Sequence, residues 1–244
     1  MNIIVTETFE QTCARAAGMI ASVIRHKPDA RLGLATGSTA QGVYPHLIAA
    51  YRAGALDFSR VSTINLDEYV GLSPDHPQSY HRFMDENLFD HINIDRRNTV
   101  VAKGTGDIEE NVKAFREALA EKPIDVQLLG IGVDGHVGFN EPGEVLFDGA
   151  HVAELDESTI DANARFFLSR DEVPTRAISM GMGDILRAKK LILLATGESK
   201  AAAMKGLLLN EELNVQNPAT LVKTHPDATV IIDRALAEDI GYQG

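Results

Sequence analysis

Apolar residues recur along this chain in two alternating rhythms. Phe9, Cys13, Ala16, Ile20 and Ile24 fall at helical spacing, and so do Ile108, Val112, Phe115 and Leu119. Asp107 opens the second set with Glu110 three residues on, an N-cap pair. Between such stretches lie short apolar runs at 31–36, 61–66, 124–129, 191–196 and 229–232, which predict strands. A further strand is expected at 178–182, where glycine and methionine dilute the signal. Strands separated by helices imply an α/β chain with a single doubly wound, mostly parallel sheet and helices on both faces, a Rossmann-like arrangement. No linker, low-complexity block or repeat divides the sequence, so one domain over 1–244 is expected.

The ends of these strands carry the chemistry. LATGST at 34–39 and LATGES at 194–199 are nearly the same word, each ending a strand, turning at glycine and opening a helix. That geometry presents free N–H groups, a positive helix end and hydroxyls, so either turn can hold a phosphate; Ser38, Thr39 and Ser199 can equally serve as simple caps. Lys200 follows the second copy and can add a point charge. Pro45 argues that the first helix starts nearer Gly42, or that its first turn is irregular. After the third run, GIGVDGHVGFNEPG at 130–143 holds Asp134, His136 and Glu141 in a stretch too glycine-rich for regular structure. Asp67, in NLDEY after the second run, reads as a general base if burial raises its pKa, and otherwise as a solvated turn. Its weight comes from convergence, since open α/β sheets bind ligands outside the carboxyl ends of their strands.

Other motifs are excluded. GIGVDG fits the dinucleotide fingerprint, yet Pro142 and Gly143 continue a loop where a helix should open. Neither a phosphate-loop motif of nucleotide triphosphatases nor H-E-x-x-H occurs, and Asp134 with His136 alone is an incomplete metal set, so no metal is expected. A net charge of −12 without a basic stripe disfavours nucleic acid and anionic membrane. The longest strongly apolar stretch is too short to span a bilayer, and the first ten residues lack a signal peptide's regions, so a cytoplasmic location is expected. The single cysteine, Cys13, reads as a small core residue.

LGLATGSTAQGVYPHL, NLDEYVGL, GIGVDGHVGFNEPG, ANARFF and ATGESKA, in that order and spacing, resemble glucosamine-6-phosphate deaminases over nearly the whole chain. The resemblance implies conversion of glucosamine 6-phosphate to fructose 6-phosphate and ammonia, without metal or organic cofactor. It makes Asp67 the base that moves a proton between C2 and C1, and His136 the group that opens the sugar ring, with Asp134 and Glu141 tuning and orienting it. The phosphate would rest on Gly37, Ser38 and Thr39, with Arg165 and Lys200 closing around it. Around ANARFF the family carries a mobile lid, placed here at about 155–178. A 6-phosphogluconolactonase and a sugar-phosphate sensor are the alternatives; the first has no evident use for the LDEY word and the second could dispense with Asp67 and His136.

Two departures bear on regulation. Ala40 replaces a proline common after the TGST word. Where activator-regulated members carry serines and a basic cluster, this chain has Glu144, Asp148, Glu154 and Asp156, and it reaches Gly244 without a longer C-terminal extension. No activation by N-acetylglucosamine 6-phosphate is therefore expected, and a sigmoidal rate curve straightened by that compound would sink the expectation. Oligomeric state is left open.

Overall fold

A computed structural model describes residues 1–243. The expectation tied to Gly244 lies outside them. In chain order the strands are β1 (Asn2–Thr6), β2 (Arg31–Leu34), β3 (Ser62–Asn65), β4 (Asp67–Tyr69), β5 (Thr99–Val100), β6 (Val126–Leu129), β7 (His151–Glu154), β8 (Arg176–Ser179), β9 (Leu191–Ala195) and β10 (Ala228–Asp233). The helices are α1 (Phe9–His26), α2 (Ser38–Arg52), α3 (Tyr80–Asn87), α4 (Ile108–Glu121), α5 (Glu157–Asn163), α6 (Met182–Leu186), α7 (Ala201–Leu208) and α8 (Arg234–Ile240), with short 3₁₀ turns between.

Seven strands form one all-parallel sheet in the order β1-β10-β9-β6-β2-β3-β5. Its central strands are buried on both faces, as a parallel sheet with helices over it requires; all five residues of β9 are buried. The chain runs from β2 outward through β3 to β5, then returns to place β6 on the other side of β2. That reversal opens a crevice between the carboxyl ends of β2 and β6, where such sheets take ligands.

The helical periodicity is met with one displacement. In α1, Cys13, Ala16, Ile20 and Ile24 are buried, but Phe9 is exposed and stands at the mouth of the crevice. The Asp107 side chain accepts the Glu110 N–H at 3.2 Å and starts α4. Helix α2 departs from the expectation drawn from Pro45: it begins at Ser38, with Pro45 inside it. Loss of one backbone donor and a ring clash cost about 3 kcal/mol in a free helix. Here the buried Val43, Tyr44, Leu47 and Ile48 hold the helix against the core, and the Tyr44 hydroxyl donates to the Ala35 carbonyl.

The run at 178–182 does not extend the main sheet. Its strand is β8, which pairs antiparallel with both β4 and β7 in a second, three-stranded sheet. A smaller apolar cluster of Tyr69, Phe139, Ala153, Leu155, Ile160, Val173 and Ala177 packs there, apart from the main core. Leu66 alone separates β3 from β4, so Asp67 both follows a strand of the large sheet and opens one of the small sheet. No helix among the described residues is long and apolar enough to cross a membrane.

Candidate active site

Four loops meet over the crevice, and they leave four adjacent strands, β9, β6, β2 and β3. The loop after β2 turns at Gly37, whose φ of 88° is a left-handed conformation that a side chain would strain. The turn delivers Ser38 and Thr39 at the first positions of α2, where backbone N–H groups lack helical partners. After β9 the repeated word repeats the geometry: Gly197 has φ 86°, and Lys200 closes a 3₁₀ turn ahead of α7.

A cleft of about 500 Å³ lies between these turns, lined by Gly37, Ser38, Thr39, Asp67, His136, Arg165 and Lys200 among others. Asp134 and Glu141 do not line it; they stand behind His136. The sequence-derived residues are thus brought together, seven at the surface of one cleft and two in support. Arg165 arrives from a 3₁₀ turn after α5 and lies 4.7 Å from the ring centre of Phe166. Burial and the neighbouring Arg165 charge both lower the pKa of Lys200, as expected of two cations facing one cleft.

His136 Nδ1 lies 2.8 Å from Asp134 Oδ1 and 3.2 Å from Glu141 Oε2, an ion pair to both rather than a linear hydrogen bond to either. Burial disfavours the charged imidazole, but the two carboxylates outweigh it and raise its pKa to about 9. Asp134 is likewise resisted by burial, yet His136 holds its carboxyl well below the usual carboxylate range. The backbone fixes the pair: His136 N–H donates to Asp134 Oδ1 at 3.1 Å. Gly132 admits it, since a Cβ there would stand 2.3 Å from His136 Nδ1 and 2.6 Å from Asp134 Oδ1. Asp134, His136 and Glu141 also offer one ligand atom each within 4.8 Å of one another, so activity under chelation is a necessary check.

Asp67 is 6% exposed and, among the described residues, forms no ion pair with a lysine or arginine. Burial first, then the charge of Glu68, raise its pKa to about 7, with His136 pulling the other way. A carboxyl poised there suits a general base near neutral pH. Tyr80, which sequence reasoning missed, also lines the cleft; burial pushes its phenol well above the ordinary value. No motif marked it, because the start of α3 reaches the cleft only through tertiary packing. His151 stacks on Phe147 at 4.1 Å and Tyr69 sits in the second apolar cluster, so both pack rather than face the cleft.

Residues 5–231 match the family described as glucosamine-6-phosphate isomerases/6-phosphogluconolactonase. The chain belongs to this family. It is 49% identical over 239 residues to a glucosamine-6-phosphate deaminase of Thermoanaerobacter pseudethanolicus, covering 97% of this chain and 94% of that one. A glucosamine-6-phosphate deaminase of Clostridium perfringens is 49% identical over 240 residues, covering 98% and 99%. Among solved structures, a monomeric glucosamine-6-phosphate deaminase superposes with a TM-score of 0.95 at 41% identity, covering 98% of this chain and 99% of that one. A 6-phosphogluconolactonase from Trypanosoma cruzi shares the fold, at a TM-score of 0.74 and 19% identity over 97% and 96% of the chains. Deaminase relatives in the family thus share far more sequence with this chain than that lactonase does.

Proposed function

We infer that this chain is a glucosamine-6-phosphate deaminase, converting glucosamine 6-phosphate to fructose 6-phosphate and ammonia. The observation that carries the residue assignment is a buried carboxyl with a pKa of about 7, Asp67, in one cleft with His136 and two glycine turns. In this reading the phosphate rests on the free amides and hydroxyls of Gly37, Ser38 and Thr39, and Lys200 and Arg165 supply the countercharge. His136 donates its proton to the ring oxygen and takes one from the C1 hydroxyl, which opens the ring to an aldehyde. The carbonyl acidifies the C2–H bond. Asp67 removes that proton and returns it to C1, leaving an imine at C2 that water hydrolyses to the ketone and ammonia. The segment 155–178 acts as a lid that carries Arg165 over the sugar and keeps water from the carbanion-like intermediate, and the whole chain works as one catalytic unit.

The test is release of ammonia and fructose 6-phosphate from glucosamine 6-phosphate in the presence of a chelator. Sustained turnover is the expected result. Tight sugar-phosphate binding without turnover would favour a sensor, and loss of rate on chelation would place a cation among Asp134, His136 and Glu141.

The pH dependence follows from the same groups. Asp67 must be ionised to act, so kcat/KM is expected to rise with pH through about 7. His136 must hold a proton, so it is expected to fall again above about 9. A profile without the lower limb would contradict the role given to Asp67. For the phosphate grip, Arg165→Ala is expected to raise KM about 10- to 100-fold, the worth of one charge-assisted hydrogen bond, with a smaller change in kcat. Unphosphorylated glucosamine should be indifferent to that substitution, and an equal loss with both sugars would remove Arg165 from the phosphate site.

A further inference from the structure

Behind Asp67 lies a carboxylate that the reaction does not touch. Glu68 is 1% exposed, and successive side chains of β4 point to opposite faces, so it turns from the cleft toward α3. Four donors close on it. Oε1 accepts the N–H groups of Tyr69 at 2.8 Å and Tyr80 at 3.0 Å; Oε2 accepts the N–H of His81 at 3.1 Å and its ring Nδ1 at 2.9 Å. Tyr80 and His81 are the first residues of α3, whose Ser79 cap accepts the Arg82 N–H at 3.1 Å. Glu68 therefore satisfies two helix amides that nothing else in α3 could take, and it places an anion at the positive helix end.

We infer that Glu68 is a positioning residue for the deaminase reaction: pinned by the start of α3 and by His81, it keeps a buried negative charge next to Asp67 and locks Tyr80 in the cleft. The inference rests on the function proposed above. The geometry distinguishes this role from simple capping. One carboxylate ties the strand that bears Asp67 to the helix that brings Tyr80 into the cleft, and the Tyr80 ring is stacked on Phe139 at 6.3 Å and 4°. The titratable groups that act on Asp67 are Glu68 on its own strand, His136 from the loop after β6, Tyr69 in β4 and Tyr80 in α3. Of these, His136 favours ionisation of Asp67 and Glu68 opposes it, so removal of the Glu68 charge alone should make Asp67 a stronger acid and a weaker base.

The experiment is kcat/KM for ammonia release against pH in the native protein, Glu68→Gln, Glu68→Asp and His81→Ala, with folding followed by circular dichroism. Glu68→Gln should move the lower limb down by about one pH unit, a tenfold change in the ionisation constant, and lower the plateau. Glu68→Asp disturbs packing but keeps the charge, so its limb should stay within a few tenths of native. His81→Ala strips one donor from Glu68 but leaves its charge and the N–H donors of Tyr69, Tyr80 and residue 81, so its limb should stay within a few tenths of native. An unmoved limb in Glu68→Gln, or equal shifts in Glu68→Gln and Glu68→Asp, overturns the inference. If Glu68→Gln fails to fold, Glu68→Asp and His81→Ala decide, since both keep the charge: a limb moved down by a full unit in either overturns it. A native protein that releases no ammonia overturns the deaminase reading and this inference with it; native turnover with an unshifted Glu68→Gln limb overturns the inference alone.

Discussion

Asp67→Asn is expected to lower turnover by about 10²- to 10⁴-fold while making the protein more stable. The two effects share a cause. Burial raises the carboxyl from 3.8 to about 7, so between those values the folded protein keeps a proton that the unfolded chain releases. Stability contributed by the protonated group is complete below 3.8 and is lost as pH rises through about 7. At about 1.36 kcal/mol per unit, this penalises the native state by on the order of 2–4 kcal/mol above neutrality. Asparagine carries no such penalty. Its melting temperature should exceed the native value by roughly 4–12 °C at pH 8, and by far less at pH 4, for a chain of this size. Calorimetry at both values, with substrate binding measured on the variant, checks the claim; a gain independent of pH would show that ionisation is not its origin.

His136→Gln is expected to fail in the opposite sense on stability. Removing the imidazolium leaves Asp134 and Glu141 facing each other behind the cleft, each deprived of its shared cation. Breaking a buried pair of this kind costs about 3–5 kcal/mol. With a folded pKa of about 9 against 6.5 unfolded, His136 stabilises the fold fully below 6.5 and loses that contribution as pH climbs through about 9. The variant should therefore melt well below the native protein at pH 6 and approach it at pH 10. Turnover should drop about 10²- to 10⁴-fold, with the upper limb of the pH profile gone. A substrate already supplied as the open-chain aldehyde form should recover part of that loss, because the later proton transfer belongs to Asp67. Equal losses on ring-closed and open-chain substrates would remove His136 from ring opening.

These contrasts separate what the sequence disclosed from what it withheld. Three of the four strand ends over the crevice, those of β2, β6 and β9, were legible because each pairs an apolar run with a glycine-centred word, and both signals are local; the fourth, NLDEY after β3, gained weight only from standing at a strand end like the others. The neighbours of those strands were not legible. β4 is three residues long and follows β3 after Leu66 alone, so no periodicity could mark it, and β7 lies in an acidic stretch that reads as loop. The antiparallel partnership of β4, β7 and β8 is set by contacts more than eighty residues apart in places, as between Asp67 and Ser179. Arg165 was reachable only through family resemblance, since nothing in its own surroundings announces a cleft. Pro45 misled for a related reason: the rule against proline in a helix describes a free helix, and α2 is held by buried side chains. Glu68 was adjacent to the chosen base and still invisible, because its four donors come from α3 and its own strand through folding.

The order of loops over the sheet makes the cleft a ruler. Lys200 follows β9, His136 follows β6, Gly37 follows β2 and Asp67 follows β3, so the sites stand on consecutive strands at roughly 4.8 Å intervals. A phosphate gripped between the marks at β2 and β9 places every carbon at a set distance from the remaining two. A sugar phosphate one carbon shorter, held by the same grip, would bring its C2 up short of Asp67 by about the length of a bond. Chain length would then be selected by the pitch of the backbone ladder itself, with no side chain assigned to the task.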